Sequence, residues 1–312
     1  MKTKYFGTDG LRGKAFSELT LEKAYYLGLG LKHAFNNDKV VIGIDTRESS
    51  VILAHIIASA ALKTGVDVFY ADIVSTPMIA HYSKVHNMTG IMITASHNPF
   101  MDNGIKLFNK GYKSSKEEEI LLEKYIDKEL KINQYTFGNF SLTEDVYNEY
   151  IKLIDNLELS TSNIKLAYDS ANGANFDIAA KVISKYFPNS IQINNRPNGK
   201  NINLECGSTY PHKLKEFIIK NNMDLGFAYD GDGDRVILLD SKGNIYDGDF
   251  IVYLVAKYLK KHNQLKNNGV VLTKMSNPGI LKALEQNNIN YVLTDVGDKN
   301  VYTAMKQYGY IV

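Results

Sequence analysis

The chain has 312 residues, of which 44% are hydrophobic and 22% are charged, and its formal net charge is +2. This length is enough for two or three domains with packed cores, and charges of both signs spread along the chain argue against nucleic acid as a partner. The single cysteine excludes an intramolecular disulfide.

The first residues contain no apolar leader segment, so the sequence predicts a cytoplasmic protein. The longest nearly apolar stretch, residues 51–62, is interrupted by His55 and is too short to cross a bilayer. We therefore expect no membrane partner. The sequence leaves the oligomeric state open, with a homodimer as the assembly to consider.

The first motif lies at residues 6–13, which contain three glycines, Thr8 and Arg12. Backbone N–H groups in such a loop can bind an anion, and Arg12 would add positive charge. The alternative is an ordinary glycine-rich turn without a ligand. Taken alone, the motif favours neither interpretation.

Three segments share one pattern, in which a buried strand is followed by a polar turn, a helix and a second strand. They are residues 39–70, 164–193 and 269–294. Each predicts a βαβ unit with a polar turn at the carboxyl end of its first strand, where open α/β sheets bind ligands. A polar, helical stretch at residues 114–150 follows the first unit.

The fold class predicted is α/β, with three successive domains. The boundaries fall near residues 150 and 248, which gives domains at 1–150, 151–247 and 248–312. The third domain is predicted to be incomplete, because it has too few residues and ends on an apolar segment. The alternative is a single doubly wound sheet that contains all three βαβ units.

A short apolar strand at residues 90–93 leads to Ser96, His97 and Asn98. A strand that ends in such a cluster can hold a nucleophile at the rim of a sheet. A Ser-His-Asp triad cannot be identified from sequence, because its members meet in space and not along the chain.

Lys106 follows Asn103 and Gly104, a pair typical of tight turns. The sequence therefore predicts that Lys106 begins a strand that returns past Ser96. A lysine near a bound cation would have a lowered pKa and could exchange protons with a sugar hydroxyl. The alternative is a surface lysine on a hairpin.

The acidic motif at residues 230–235 joins two predicted strands and has carboxylates at alternate positions, Asp230, Asp232 and Asp234. Three carboxylates in a glycine-containing turn can bind one hard cation and leave open positions, which suits Mg²⁺ shared with a phosphate. Arg235 could hold that phosphate. An EF-hand is excluded, since its sixth position would be Arg235 and its twelfth Ser241.

Together these motifs resemble the α-D-phosphohexomutase superfamily. The matching segments are residues 6–13, 75–77, 94–99, 102–108 and 230–235. The resemblance implies domains with mixed sheets around one cleft, and interconversion of the 1- and 6-phosphates of a hexose.

Within the superfamily, the chain is similar to the bacterial enzymes that interconvert glucosamine 6-phosphate and glucosamine 1-phosphate. Residues 102–106, 275–277 and 296–298 carry this similarity. The resemblance also implies that the chain ends before a sugar-binding loop of the third domain and before a fourth domain.

The resemblance assigns roles residue by residue. It implies that Ser96 carries a phosphate in the active enzyme and that a bisphosphorylated sugar, which also activates the enzyme, is the intermediate. One Mg²⁺ per active site would be held by the phosphate on Ser96 and by Asp230, Asp232 and Asp234. Lys106, with His97 and Arg12, would supply acid and base. The expected substrate-binding residues are Gly7, Thr8, Asn98, Arg235, Gly297 and Asp298.

Three other functions stay open at this point. The substrate is a phosphohexosamine or a phosphohexose, so a phosphomannomutase or phosphoglucomutase activity is the first alternative. A non-catalytic module that binds Mg²⁺ and a phosphosugar is the second. A metal-dependent phosphatase that uses Ser96 is the third, although the sequence offers no second metal site.

Overall fold

The computed structural model describes residues 3–130 and 136–312, which divide into two compact units. The first unit extends to Val236 and includes residues 241–243. The second comprises residues 237–240 and 244–312. None of the described helices is long and apolar enough to cross a lipid bilayer.

The strands of the first unit are β1 (Phe6–Gly7), β2 (Gly10–Lys14), β3 (Lys39–Ile44), β4 (Asp67–Ile73), β5 (Thr89–Ile93), β6 (Asp102–Asn109), β7 (Tyr112–Lys113), β8 (Phe140–Leu142), β9 (Leu166–Asp169), β10 (Ile191–Ile193) and β11 (Leu225–Tyr229). Its helices are α1 (Leu21–Phe35), α2 (Glu48–Leu62), α3 (Thr76–Val85), α4 (Lys116–Ile126), α5 (Asp145–Asp155), α6 (Phe176–Tyr186) and α7 (His212–Asn221).

The larger sheet of this unit has the order β1-β2-β6-β5-β3-β4-β8, with β7 also paired to β6. Its centre is parallel, since β3 pairs in parallel with both β4 and β5. Strand β6 then pairs antiparallel with β5 and with β2, so the sheet is mixed, as the family resemblance implies. A second set of parallel strands has the order β10-β9-β11.

Side-chain alternation along the central strands places a buried layer on each face of the larger sheet. Val40 and Ile42 pack in a core with residues of α1, α2 and α4, whereas Val41 packs in the opposite core with residues of α3. On β6, Ile105 belongs to the first of these cores and Phe108 to the second. Such central strands are buried on both faces, which explains their nearly continuous apolar sequence.

The second unit begins within β12 (Val236–Asp240), which pairs antiparallel with β13 (Ile245–Tyr246). It continues through α8 (Gly248–Lys261), β14 (Gly269–Thr273), α9 (Pro278–Gln286), β15 (Asn290–Thr294) and α10 (Asp298–Tyr308). Strands β14 and β15 are parallel, and Val270, Leu272 and Leu284 lie in the core beside them.

The three predicted βαβ units are confirmed, as β3-α2-β4, β9-α6-β10 and β14-α9-β15. The alternative of one sheet containing all of them is wrong, because these three strand pairs lie in three different sheets. The polar stretch at 114–150 contains a helix, a short strand and the start of another helix, while its residues 131–135 lie outside the described residues.

The predicted turn at Asn103 and Gly104 is wrong, because both residues lie within β6 and the chain reverses in the preceding loop. The Asn103 side chain explains this difference. Its Nδ2 donates to the hydroxyls of Ser49 and Ser50 at 2.8 and 2.9 Å. These buried tertiary hydrogen bonds override the local turn preference. Lys106 nevertheless lies on a strand that returns past the serine loop, opposite Met92 of β5.

Candidate active site

Ser96 lies in the loop after β5 and is completely buried. Its backbone has a φ of 54°, in the left-handed region that non-glycine residues rarely adopt. The Ser96 N–H donates to Thr94 Oγ1 at 2.9 Å. The Ser96 hydroxyl donates to Asp230 Oδ2 at 2.5 Å, which joins the serine loop to the acidic loop that follows β11.

The carboxylates of Asp230, Asp232 and Asp234 each offer an oxygen within 4.8 Å of the other two. Burial and the charges of Asp232 and Asp234 raise the pKa of Asp230 to about 7. Asp232 is also fully buried, and its Oδ1 has no hydrogen-bond partner in the described part of the chain. A buried, unpartnered carboxylate oxygen beside two further carboxylates fits a divalent cation.

Lys106 contacts this acidic cluster directly. Its Nζ lies 2.5 Å from Asp232 Oδ2 and 2.7 Å from Asp234 Oδ2, and its side chain is only 4% exposed. Burial lowers the pKa of Lys106, but the two carboxylates outweigh burial and hold that pKa above its usual value. These contacts hold Lys106 as an ammonium that can donate a proton. The lowered pKa expected from the sequence concerns a lysine beside a bound cation and stays a prediction.

Asp9, which the sequence analysis did not select, connects the remaining charged residues of the site. Its carboxylate accepts from Lys113 at 2.8 Å, from Arg12 at 3.0 Å and from Arg235 at 3.4 Å. Burial alone would raise the pKa of Asp9, but the hydrogen bond from Lys113 and the surrounding positive charges hold it at about 2. Asp9 is thus an anion that orients two arginines.

His97 lies between Ser96 and Arg235. Its Nδ1 is 3.1 Å from Arg235 Nη1 and 3.5 Å from the Ser96 hydroxyl. Burial and the positive charges of Arg235 and Arg12 lower the pKa of His97. A neutral imidazole can accept the hydrogen bond that the guanidinium offers.

The other predicted substrate-binding residues lie in different surroundings. Gly7 and Thr8 are exposed at the end of β1 and in the following turn. Asn98 Nδ2 donates to Asp102 at 3.0 Å. Gly297 and Asp298 lie at the N-terminus of α10 in the second unit. Their contact with a substrate stays a prediction.

Two close approaches hold the acidic loop in place. The Thr76 hydroxyl at the start of α3 donates to Asp232 Oδ2, and the Thr76 N–H donates to the Asp232 carbonyl at 2.9 Å. A Cβ on Gly231 would lie 2.6 Å from the Ser96 carbonyl oxygen, so only glycine lets the two loops approach this closely. Residues 75–77 matched a family motif, but their sequence gave no indication of this contact.

Three domain models of one protein family match consecutive segments of the chain. The descriptions phosphoglucomutase/phosphomannomutase, alpha/beta/alpha domain I, domain II and domain III match residues 3–133, 145–243 and 247–312 in that order.

Curated relatives match over nearly the whole chain. The phosphoglucosamine mutase of Lachnoclostridium phytofermentans is 41% identical over 319 residues, which cover 99% of this chain and 71% of the relative. The phosphoglucosamine mutase of Bacillus mycoides is 42% identical over 320 residues, which cover 98% and 71%.

Solved structures share the fold at lower identity. A phosphoglucomutase/phosphomannomutase family protein from Burkholderia thailandensis has a TM-score of 0.84 and 20% identity, and the match covers 99% of this chain and 70% of that one. The N-acetylphosphoglucosamine mutase of Aspergillus fumigatus, solved in complex with GlcNAc-6P and magnesium, has a TM-score of 0.59 and 18% identity, with coverage of 98% and 65%.

Proposed function

Since the chain belongs to the phosphoglucomutase/phosphomannomutase family, whose members are phosphosugar mutases, we propose that it interconverts glucosamine 6-phosphate and glucosamine 1-phosphate. The reaction uses a phosphate on Ser96 and a bisphosphorylated sugar intermediate. The observation that carries the proposal is the Ser96 hydroxyl, which lies 2.5 Å from an oxygen of the carboxylate cluster that can hold a cation.

The cation proposed is one Mg²⁺ per site, held by Asp230, Asp232 and Asp234. When bound, Mg²⁺ would neutralise charge on the transferring phosphoryl group. The buried and unpartnered Oδ1 of Asp232 supports this assignment. Arg235 and Arg12, oriented by Asp9, supply further positive charge for phosphate groups.

In the proposed transfer of a phosphoryl group from the sugar to Ser96, different side chains accept and donate the protons. A bond forms between Ser96 Oγ and phosphorus while the bond between phosphorus and the sugar oxygen breaks. The Ser96 hydroxyl proton passes to Nδ1 of the neutral His97, 3.5 Å away, and the Lys106 ammonium protonates the departing sugar oxygen. The opposite transfer, from Ser96 to a sugar hydroxyl, uses the same groups in reverse.

The domain limits of 1–150, 151–247 and 248–312 are part of the same proposal. The first domain carries the serine loop, the second the acidic loop, and the third Gly297 and Asp298. Substrate contacts are proposed for Gly7, Thr8 and Asn98 of the first domain and, separately, for Gly297 and Asp298 of the third. The three family matches support this division.

An assay of isomer formation tests the substrate. We expect faster conversion of glucosamine 6-phosphate than of mannose 6-phosphate or glucose 6-phosphate, each with Mg²⁺ and a catalytic amount of the corresponding bisphosphate. A preference for either hexose phosphate would contradict the proposed substrate. Steady release of inorganic phosphate without an isomer would instead indicate a phosphatase.

Replacing Gly231 with alanine is expected to lower kcat for isomerisation by about 100-fold, because the new methyl group would force the acidic loop away from the Ser96 carbonyl. Gly248→Ala is the matched control, since a Cβ there meets nothing within 4 Å. We would measure kcat of both variants by steady-state kinetics and check by thermal unfolding that each variant is folded. Equal activity of the two variants would show that isomerisation does not depend on the close approach of Gly231 to the Ser96 carbonyl.

A further inference from the structure

Two side chains donate hydrogen bonds to backbone carbonyl oxygens of the serine loop, residues 94–99. Arg47 Nη2 donates to the carbonyl oxygens of Ser96 and Asn98, at 3.1 and 2.7 Å. Asn203 Nδ2 donates to the same two oxygens, at 2.8 and 3.2 Å. We call these four hydrogen bonds the carbonyl clamp.

Arg47 is the fixed half of the carbonyl clamp. Its side chain is completely buried and paired with the equally buried Asp45. The Asp45 carboxylate also accepts from the Arg47 N–H at 3.0 Å and from the Ser50 hydroxyl at 2.8 Å. A buried guanidinium held in this way keeps one orientation, because it has few alternative partners.

Asn203, the other half of the carbonyl clamp, follows the second βαβ unit in the chain. It lies in the loop after β10, and its N–H donates to the carbonyl of Ala171 at 2.9 Å. Its side chain is partly buried, and a Cβ on Gly231 would lie 2.7 Å from its Nδ2. The serine loop is therefore held by residues that follow β3 and by residues that follow β10.

The carbonyl clamp acts at Ser96, whose backbone lies in the left-handed region. Ser96 has a φ of 54°, and an unrestrained serine would prefer a negative φ. A change of φ at Ser96 would swing its hydroxyl relative to Asp230, which lies 2.5 Å away. Hydrogen bonds to the Ser96 carbonyl oppose that rotation, because the oxygen moves with the adjoining peptide plane.

We propose that Asn203 and Arg47 are positioning residues for phosphoryl transfer, which keep Ser96 in its left-handed conformation and its hydroxyl directed at the carboxylate cluster. This inference rests on the proposed mutase function. It adds that a residue in the loop after the second βαβ unit, with no contact to the reacting atoms, controls the reactivity of a serine in the loop after β5.

Asn203 gives the sharper test, since removing the buried Arg47 side chain would leave the buried Asp45 carboxylate without its positive partner and strongly destabilise the fold. Asn203→Asp keeps the shape and loses the donor, and Asn203→Gly loses the side chain at a φ of 58° that glycine accepts. The matched controls are Asn222→Asp and Asn222→Gly, because Asn222 is exposed and has a φ of 51°.

Both Asn203 variants are expected to lower kcat by about 10- to 100-fold with KM changed less than about twofold, since binding groups are untouched and the nucleophile is misplaced. Hydrogen exchange of the unphosphorylated protein is expected to be faster in residues 94–99 than in wild type. Both Asn222 variants are expected to match wild type in kinetics and in exchange over residues 94–99.

Wild-type exchange over residues 94–99 in the Asn203 variants would overturn the inference, as would equal loss of kcat in the Asn222 variants. If the wild-type chain forms no isomer and takes up no phosphate, the proposed function fails instead. The exchange comparison then still decides whether the carbonyl clamp holds the serine loop.

Discussion

Replacing Ser96 with alanine is expected to lower the rate of glucosamine phosphate isomerisation by about 10⁴-fold or more. The proposed reaction passes the phosphoryl group through the Ser96 oxygen, and losing the nucleophile of a covalent mechanism removes its main route. The Ser96 hydroxyl is also completely buried and donates to Asp230, which joins the nucleophile to the carboxylate cluster.

Isomer formation and protein phosphorylation should fail together in this variant. The matched control is Ser184→Ala, which removes an exposed hydroxyl on α6 and is expected to leave both unchanged. Thermal unfolding confirms that each variant is folded. Isomerisation by Ser96→Ala at a rate close to that of wild type would refute a phosphoserine at this position.

Replacing Asp230 with asparagine is expected to have opposite effects on metal-free stability and on activity. Three carboxylates within 4.8 Å repel one another when no cation is bound, so removing one charge should raise the unfolding temperature in a chelator. The asparagine still offers an oxygen to the Ser96 hydroxyl. Activity should be lost, because the variant binds Mg²⁺ poorly.

The stabilising effect of Mg²⁺ completes this test. A cation at 100 times its Kd stabilises a folded protein by about 2.7 kcal/mol, and this gain should be present in wild type and absent in Asp230→Asn. Glu216→Gln removes an exposed charge on α7 and should retain the gain. Equal Mg²⁺-dependent stabilisation of wild type and Asp230→Asn would contradict a cation site at these carboxylates.

The sequence predicted those parts of the fold that depend on local patterns. Short apolar runs such as residues 39–44 and 89–93 are buried on both faces of a sheet, and such burial requires nearly continuous hydrophobic sequence. The acidic motif was recognisable as a candidate cation site for a similar reason, since three carboxylates spaced two residues apart in one turn can converge on a single cation.

Contacts between distant segments could not be predicted in the same way. Ser96 and Asp230 are 134 residues apart in the chain, and only the assembled sheets bring their loops together. Asp9 was missed because its importance comes from Lys113, Arg12 and Arg235, which the sequence does not show as neighbours.

The pKa of Lys106 illustrates the same difficulty. A bound cation lowers the pKa of a neighbouring lysine, whereas contact with two carboxylates raises it. Which neighbour dominates depends on distances that only the folded chain defines, and here Asp232 and Asp234 lie within 2.7 Å of Lys106 Nζ.

The most direct test of the account follows one phosphoryl group onto Ser96 and off again. The protein is incubated with glucosamine 1,6-bisphosphate and Mg²⁺, and the peptide that contains Ser96 is examined by mass spectrometry before and after addition of glucosamine 6-phosphate. We expect a phosphate on Ser96 that disappears as glucosamine 1-phosphate forms. A Ser96 that stays unmodified, or a phosphate that remains on Ser96 after the sugar is added, would contradict the proposed mechanism.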